Sequence, residues 1–225
     1  MFFNSFCLIC ETSIQAAKPL CSGCLNDIRR LYHHANQFCP QCAQWNGTGK
    51  ICPDCQNNPP PYQKLWACAD YLAPLPALLH EWKHSRQGEF AAIFQTILQE
   101  NPPPWLAEAQ IDAVLAMPIS RKRRFMRGFN QCDDLTEVIT KNYKIPTLPT
   151  DTILRRHKTP QSTLNAAERA ENIINAFSVQ QSVKNRKILI IDDVTSTSAT
   201  LQELARTLQQ SGAAEIYACV VMRNL

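Results

Sequence analysis

No apolar run in this 225-residue chain approaches the ~20 residues that a membrane-spanning helix needs. The first ten residues, "MFFNSFCLIC", have neither the basic flank nor the long apolar stretch of a secretory signal, so a cytoplasmic protein is expected. Charge is also scarce. Asp, Glu, Lys and Arg make up 19% of the chain, and the net charge of +4 is too mild to identify a polyanionic partner. Large apolar side chains are few in the first 55 residues, which excludes a self-sufficient core there. What is present is unevenly distributed: 45% of the chain is hydrophobic, enough for one good-sized core with a small appendage, and "RKRRFMR" (121–127) holds five basic residues in seven.

Eight of the eleven cysteines fall in that core-poor start as four C-x2-C pairs, Cys7/Cys10, Cys21/Cys24, Cys39/Cys42 and Cys52/Cys55. A C-x2-C turn points two thiolates at one ion, and two turns complete a tetrahedral set. Four pairs therefore match two closed structural zinc sites. The alternative is a disulfide framework, which a reducing cytosol disfavours. Zinc also answers the missing core, because metal binding supplies on the order of 10 kcal/mol per site. The spacing favours two successive ribbons, Cys7/Cys10/Cys21/Cys24 and Cys39/Cys42/Cys52/Cys55, although a cross-braced pairing would use the same ligands. On this reading chelation unfolds the first 55 residues and leaves the later core largely intact. Cys68, Cys132 and Cys219 lie in apolar surroundings and read as buried, inert thiols. His80 and His84 read as surface residues, since the cysteines already complete the metal sets. "NNPPPY" (57–62) is a stiff break, and it divides a double zinc-ribbon domain, 1–58, from a second domain, 63–225.

The second domain alternates strands and helices. "KLWACADYL", "DAVLAMPI", "TDTILRR", "KILIIDDV" and "EIYACVVMR" read as strands. Helical spacing places Leu75, Leu78, Leu79 and Trp82 on one face, Phe90, Phe94, Ile97 and Leu98 on a second, and Leu135, Val138 and Ile139 on a third. "NAAERAENI" reads as a further helix. The last helix, with Leu201, Leu204, Ala205 and Leu208 on its apolar face, is ended by Gly212. Unbroken apolar strands between helices indicate an α/β fold with a parallel sheet covered on both faces.

In such a sheet the binding crevice lies beyond the carboxyl ends of the strands, where "ILIIDDVTSTSATL" (188–201) places Asp192 and Asp193. The residues that follow bend into a helix N-terminus, whose free N–H groups and partial positive charge suit a phosphate. Ser196, Thr197, Ser198 and Thr200 add hydroxyl donors. Acidic groups beside a phosphate cradle suit a sugar phosphate, with the carboxylates accepting from ribose hydroxyls. The competing account is an acidic strand end that merely caps the next helix, or the acidic pocket of a receiver-type domain.

"ILIIDDVTSTSAT" resembles the phosphoribosyl-pyrophosphate motif of type I phosphoribosyltransferases, a hydrophobic strand, two acidic residues and then Thr-Thr-Gly-x-Thr. The paired cysteines, "MPISRKRRFMRGFNQ", "LRRHKTPQSTLNAAERAENIINAF" and this stretch, in that order, resemble the ComF family, bacterial proteins associated with natural competence and use of external DNA. The resemblance implies a type I phosphoribosyltransferase-like fold, with Asp192 and Asp193 at the ribose hydroxyls or their Mg²⁺, and Ser196, Thr197, Ser198, Ala199 and Thr200 around the 5′-phosphate. It places Arg123, Arg124 and Arg127 at the diphosphate, where guanidinium forks suit a dianion. Residues 156–172 match the loop that closes over the reacting centre, and carry Lys158, Gln161 and Arg169. Ser198 departs from the pattern by standing at the usual glycine. Lys83 corresponds to a lysine common in the family, and a solvated helix-end lysine is an equal account of it. No dedicated general base can be named.

Three functions compete: a phosphoribosyltransferase using phosphoribosyl pyrophosphate, a single-stranded DNA-binding competence adaptor, and a ligand-controlled regulator of a protein partner. The adaptor would work beside DNA-uptake proteins, and Phe125 and Phe129 among the arginines suit base stacking. The acceptor of a transferase is not legible, because it is recognised by a variable hood outside the shared motif.

Overall fold

The computed structural model describes residues 5–14, 19–84, 88–156 and 175–224. Expectations that fall on 157–174, namely Lys158, Gln161, Arg169 and the helix "NAAERAENI", lie outside them. The first described elements are a hairpin of two-residue strands, β1 (Ser5–Phe6) and β2 (Ser13–Ile14), followed by α1 (Ser22–Arg29) and α2 (Pro53–Asn57). Then come β3 (Lys64–Asp70), α3 (Leu75–His84), α4 (Gly88–Glu100), β4 (Ala113–Ala116), α5 (Arg121–Arg127) and α6 (Gln131–Tyr143). The remainder is β5 (Ile153–Arg155), β6 (Phe177–Val179), β7 (Lys187–Thr195), α7 (Ala199–Gln210) and β8 (Glu215–Arg223).

Four strands form one all-parallel sheet in the order β3-β8-β7-β4. Alternation along each strand gives the sheet two apolar faces. Trp66, Cys68, Val114, Leu189, Ile191, Cys219 and Val221 enter one core with α3, α4 and α6. Leu65, Ala67, Leu115, Ile188, Ile190, Ala218 and Val220 enter the other with α7. Leu201, Leu204, Ala205 and Leu208 are all buried, and each leucine contributes about 1.5–3 kcal/mol relative to exposure. The expected parallel sheet with helices on both faces is therefore present. The strand read at "TDTILRR" is also present, but β5 pairs antiparallel with β6 in a separate two-stranded sheet, because the chain returns through 177–179 beside it.

The cysteine-rich start packs on the edge strand and both cores. The His33 N–H donates to Cys68 O, and the Asp70 N–H to Leu31 O, so this segment satisfies backbone groups along the edge of β3. Cys7, Leu20 and Ile28 join the first core, and Ala43 the second. Arg29 makes a two-pronged contact with Glu100 of α4, at 2.8 and 2.6 Å.

Candidate functional site

β7 outruns its neighbour β4, whose last paired residue, Ala116, lies opposite Ile191. The next two residues of β7, Asp192 and Asp193, therefore stand past the end of β4, at the mouth of a cleft of about 390 Å³. Lining it besides the two carboxylates are Lys83, Arg123, Arg127, Arg155 and the whole loop Thr195–Thr200.

The two aspartates have different surroundings. Asp193 Oδ2 accepts an ion pair from Lys83 Nζ at 2.8 Å, so this helix-end lysine is turned into the cleft. Asp192 Oδ1 accepts from the Asp193 N–H at 2.9 Å and from the Cys132 thiol at 3.5 Å. Burial, followed by the negative charge of Asp193, pushes the Asp192 carboxyl up to about 7. Cys132, expected in an apolar setting, is thus buried at the polar edge of the cleft, where burial and the aspartate charges raise its thiol well above the usual range.

The loop after β7 turns through Ser198, whose φ of 59° is left-handed and whose carbonyl accepts the Gln202 N–H of α7. The motif's glycine belongs at such a φ, and serine there is strained by about 1 kcal/mol. Ser198 is only 4% exposed, and its Oγ accepts from Arg223 Nη1 at 3.1 Å. The hydroxyl is thereby engaged by the protein. Ser196 and Thr197 remain exposed in the cleft, and Ala199 and Thr200 line its inner side at the start of α7.

The basic cluster forms the short helix α5. Ser120 caps it by accepting from the Arg123 N–H, and Gly128 at φ 83° ends it. Helical geometry separates its arginines. Arg123 and Arg127 face the cleft, whereas Arg124 pairs with Asp133 at 3.1 Å and lines a second cavity of about 570 Å³ with Leu115 and Ile153. Arg127 Nη1 donates to Gln131 at 3.1 Å, and Phe125 and Met126 are 90% and 70% exposed.

The eight paired cysteines gather as two consecutive sets, Cys7/Cys10/Cys21/Cys24 and Cys39/Cys42/Cys52/Cys55, the sulfurs of each set lying within 4.8 Å of one another. The Cys24 N–H donates to Cys21 Sγ at 3.4 Å and the Cys52 N–H to Cys39 Sγ at 3.3 Å, contacts that stabilise thiolates. Hydrogen bonding with Thr12 pulls Cys10 down to about 6, whereas burial and the companion thiols push Cys24 and Cys55 well up. Four such sulfurs cannot all ionise without a cation between them. Both sets fit a divalent metal ion.

Residues 130–225 match the phosphoribosyl transferase domain family. The DNA utilization protein YhgH of Salmonella typhi is 30% identical over 227 residues, covering 97% of this chain and 97% of that protein. Competence protein F of Haemophilus influenzae is 28% identical, with 96% and 95% covered, and competence protein ComFC of Streptococcus pneumoniae is 25% identical, with 88% and 84% covered. The chain belongs to the ComF family.

Three polar groups of this ComF-family site escaped the sequence reading. Arg155 is packed over the Phe177 ring, 5.4 Å from its centroid, and donates to Pro118 O at 3.2 Å. Asn130 caps α6 and donates to Met117 O at 3.1 Å, tying α6 to the end of β4. Arg223 reaches the loop from the end of β8. Arg155 and Arg223 each end an apolar strand, and a cation at a strand's carboxyl end was the available signal; Asn130 had the signature of a helix cap.

Proposed function

We propose that the cleft binds phosphoribosyl pyrophosphate with Mg²⁺, and that this protein is a cytoplasmic phosphoribosyltransferase-type component in the use of DNA taken up from outside the cell. One observation carries the reading: the two carboxylates, the Thr195–Thr200 loop and the inward-facing Arg123 and Arg127 converge on a single cleft. Asp192 and Asp193 accept from the ribose hydroxyls. The N–H groups of the loop and the hydroxyls of Ser196, Thr197 and Thr200 donate to the 5′-phosphate. Arg123 and Arg127 hold the diphosphate, and the Lys83 ammonium beside Asp193 adds a third cation. When bound, Mg²⁺ neutralises charge on the diphosphate and improves it as a leaving group. The bond from C1 of the ribose to the diphosphate oxygen breaks with departure of pyrophosphate, and a nucleophilic atom of a base, nucleotide or nucleic acid bonds to C1. Lys158, Gln161 and Arg169 would close over this oxocarbenium-like centre and exclude water. The two cysteine sets hold structural zinc, and the domain boundary lies at 58–63.

A thermal-shift series tests this reading. Phosphoribosyl pyrophosphate with Mg²⁺ is expected to raise the melting temperature more than ribose 5-phosphate or pyrophosphate alone. Equal shifts from pyrophosphate alone would reduce the cleft to a diphosphate site. A second reading, a single-stranded DNA-binding adaptor, is favoured by the exposure of Phe125 and Met126 among the cations of α5.

A further inference from the structure

Lys83 lies in the last turn of α3, and its Nζ is 2.8 Å from Asp193 Oδ2 inside the cleft. The two side chains are 22% and 11% exposed, so solvent ions screen the pair weakly. A carboxylate oxygen assigned to the ribose hydroxyls is thus already engaged by the protein. A divalent ion brought to the same oxygen would stand beside an ammonium, and the two cations repel. Asp193 becomes fully available only when the ammonium moves.

The helix itself is fixed. Leu75, Leu78, Leu79 and Trp82 of α3 are buried, and the Trp82 ring stacks on Phe94 of α4 with 4.8 Å between centroids. What can move is the flexible four-carbon stem of Lys83, which carries a compact charge with rotatable donors. Arg123 and Arg127 line the same cleft, and among the described residues neither is ion-paired with a carboxylate, whereas Arg124 is engaged by Asp133 outside it. A diphosphate gathered by these two arginines carries more negative charge than one carboxylate and offers Lys83 a stronger partner. Withdrawal of the ammonium then leaves two neighbouring carboxylates without a counter-ion, a need that a divalent cation or sugar hydroxyls can meet.

We infer that Lys83 is a positioning residue that sets specificity: it holds Asp193 until a diphosphate takes over its ammonium, so the cleft grips a ribose firmly only when the sugar brings a diphosphate. A ribose phosphate without that group, the form left once pyrophosphate has departed, meets a shielded Asp193 and binds weakly.

The inference rests on the cleft reading for its ligands and has a ligand-free readout in manganese binding. Full-length wild type, Lys83→Met and Lys83→Arg are titrated by calorimetry with phosphoribosyl pyrophosphate and with ribose 5-phosphate, each with Mg²⁺. Wild type is expected to favour phosphoribosyl pyrophosphate. In Lys83→Met that preference is expected to fall roughly tenfold, through weaker binding of the diphosphate ligand and equal or tighter binding of ribose 5-phosphate, while Lys83→Arg retains most of it. A lysine that only supports the fold would weaken both ligands alike, so an unchanged preference would overturn the inference. Mn²⁺ alone, followed by electron paramagnetic resonance, is expected to bind Lys83→Met roughly tenfold more tightly than wild type, a gain that adding Asp193→Asn abolishes. Equal manganese affinity in wild type and Lys83→Met would show Asp193 unshielded and would also overturn it. Should Lys83→Met fail to fold, Asp193→Asn carries the test: it is expected to weaken phosphoribosyl pyrophosphate and leave ribose 5-phosphate nearly unchanged, and equal losses would count against the shielding. Wild type that binds neither ligand would sink the cleft reading and the discrimination with it, while manganese still decides whether Lys83 shields Asp193.

Discussion

Asp192 stores a cost that the cleft must recover on binding. An ordinary aspartate titrates near 3.9, whereas Asp192 is raised to about 7. Its carboxylate thus opposes folding, and the opposition grows as pH rises from the unfolded value and is complete above the folded one. Asp192→Asn is expected to stabilise the ligand-free protein by about 1–3 kcal/mol at pH 8, with the gain vanishing toward pH 4. Urea denaturation at several pH values measures this; a gain independent of pH would place the strain elsewhere. The same titration should weaken ligand binding as pH falls below about 7. Ser198 gives the opposite lesson. Its residue type was legible as a departure from the motif, but its direction was not, because only the fold brings Arg223 of β8 behind the loop. Ser198→Gly relieves a left-handed serine, of about 1 kcal/mol, and leaves Arg223 without an acceptor. Binding is expected to weaken, as read by calorimetry; tighter binding would mean that backbone strain outweighs the lost contact.

At the scale of elements, apolar periodicity located the strands and core helices well. α3, α6 and α7 bury the faces that spacing 3 and 4 assigns them, and Phe90 of α4 falls at the margin of its core. Periodicity was silent where cap chemistry sets the structure. "RKRRFMR" has no apolar face to bury, so nothing periodic marks it as a helix, and Ser120 and Gly128 set its ends. Once helical, it divides its cations between the cleft and the surface. If the surface side holds single-stranded DNA, Arg121→Ala with Lys122→Ala should reduce the salt slope of binding by about one to two units, and Phe125→Ala should cost about 1–3 kcal/mol. Fluorescence anisotropy across a salt series measures both. An unchanged slope would exclude this face as the DNA contact.

Across the whole molecule, the cysteine pairs announced two four-cysteine sets able to hold a metal ion, and their consecutive grouping followed the sequence spacing. What spacing could not show is how far these sets are embedded. Cys7 and Ile28 are buried with α3 and α4, and Ala43 with α7, so the cysteine-rich start shares both cores. Chelation is accordingly expected to destabilise the entire chain in one transition, and not the first 55 residues alone. Circular dichroism during chelator titration distinguishes the two; an early loss confined to residues before β3, with the sheet intact, would restore the independent satellite. The central claim concerns the cleft, and calorimetry tests it most directly, comparing wild type with Asp192→Asn/Asp193→Asn on titration with phosphoribosyl pyrophosphate and Mg²⁺. Charge-assisted contacts of about 1.5–3 kcal/mol each predict that the double variant binds at least about 100-fold more weakly while remaining folded. Wild type without detectable binding at millimolar ligand, or a double variant that binds equally well, would contradict the account.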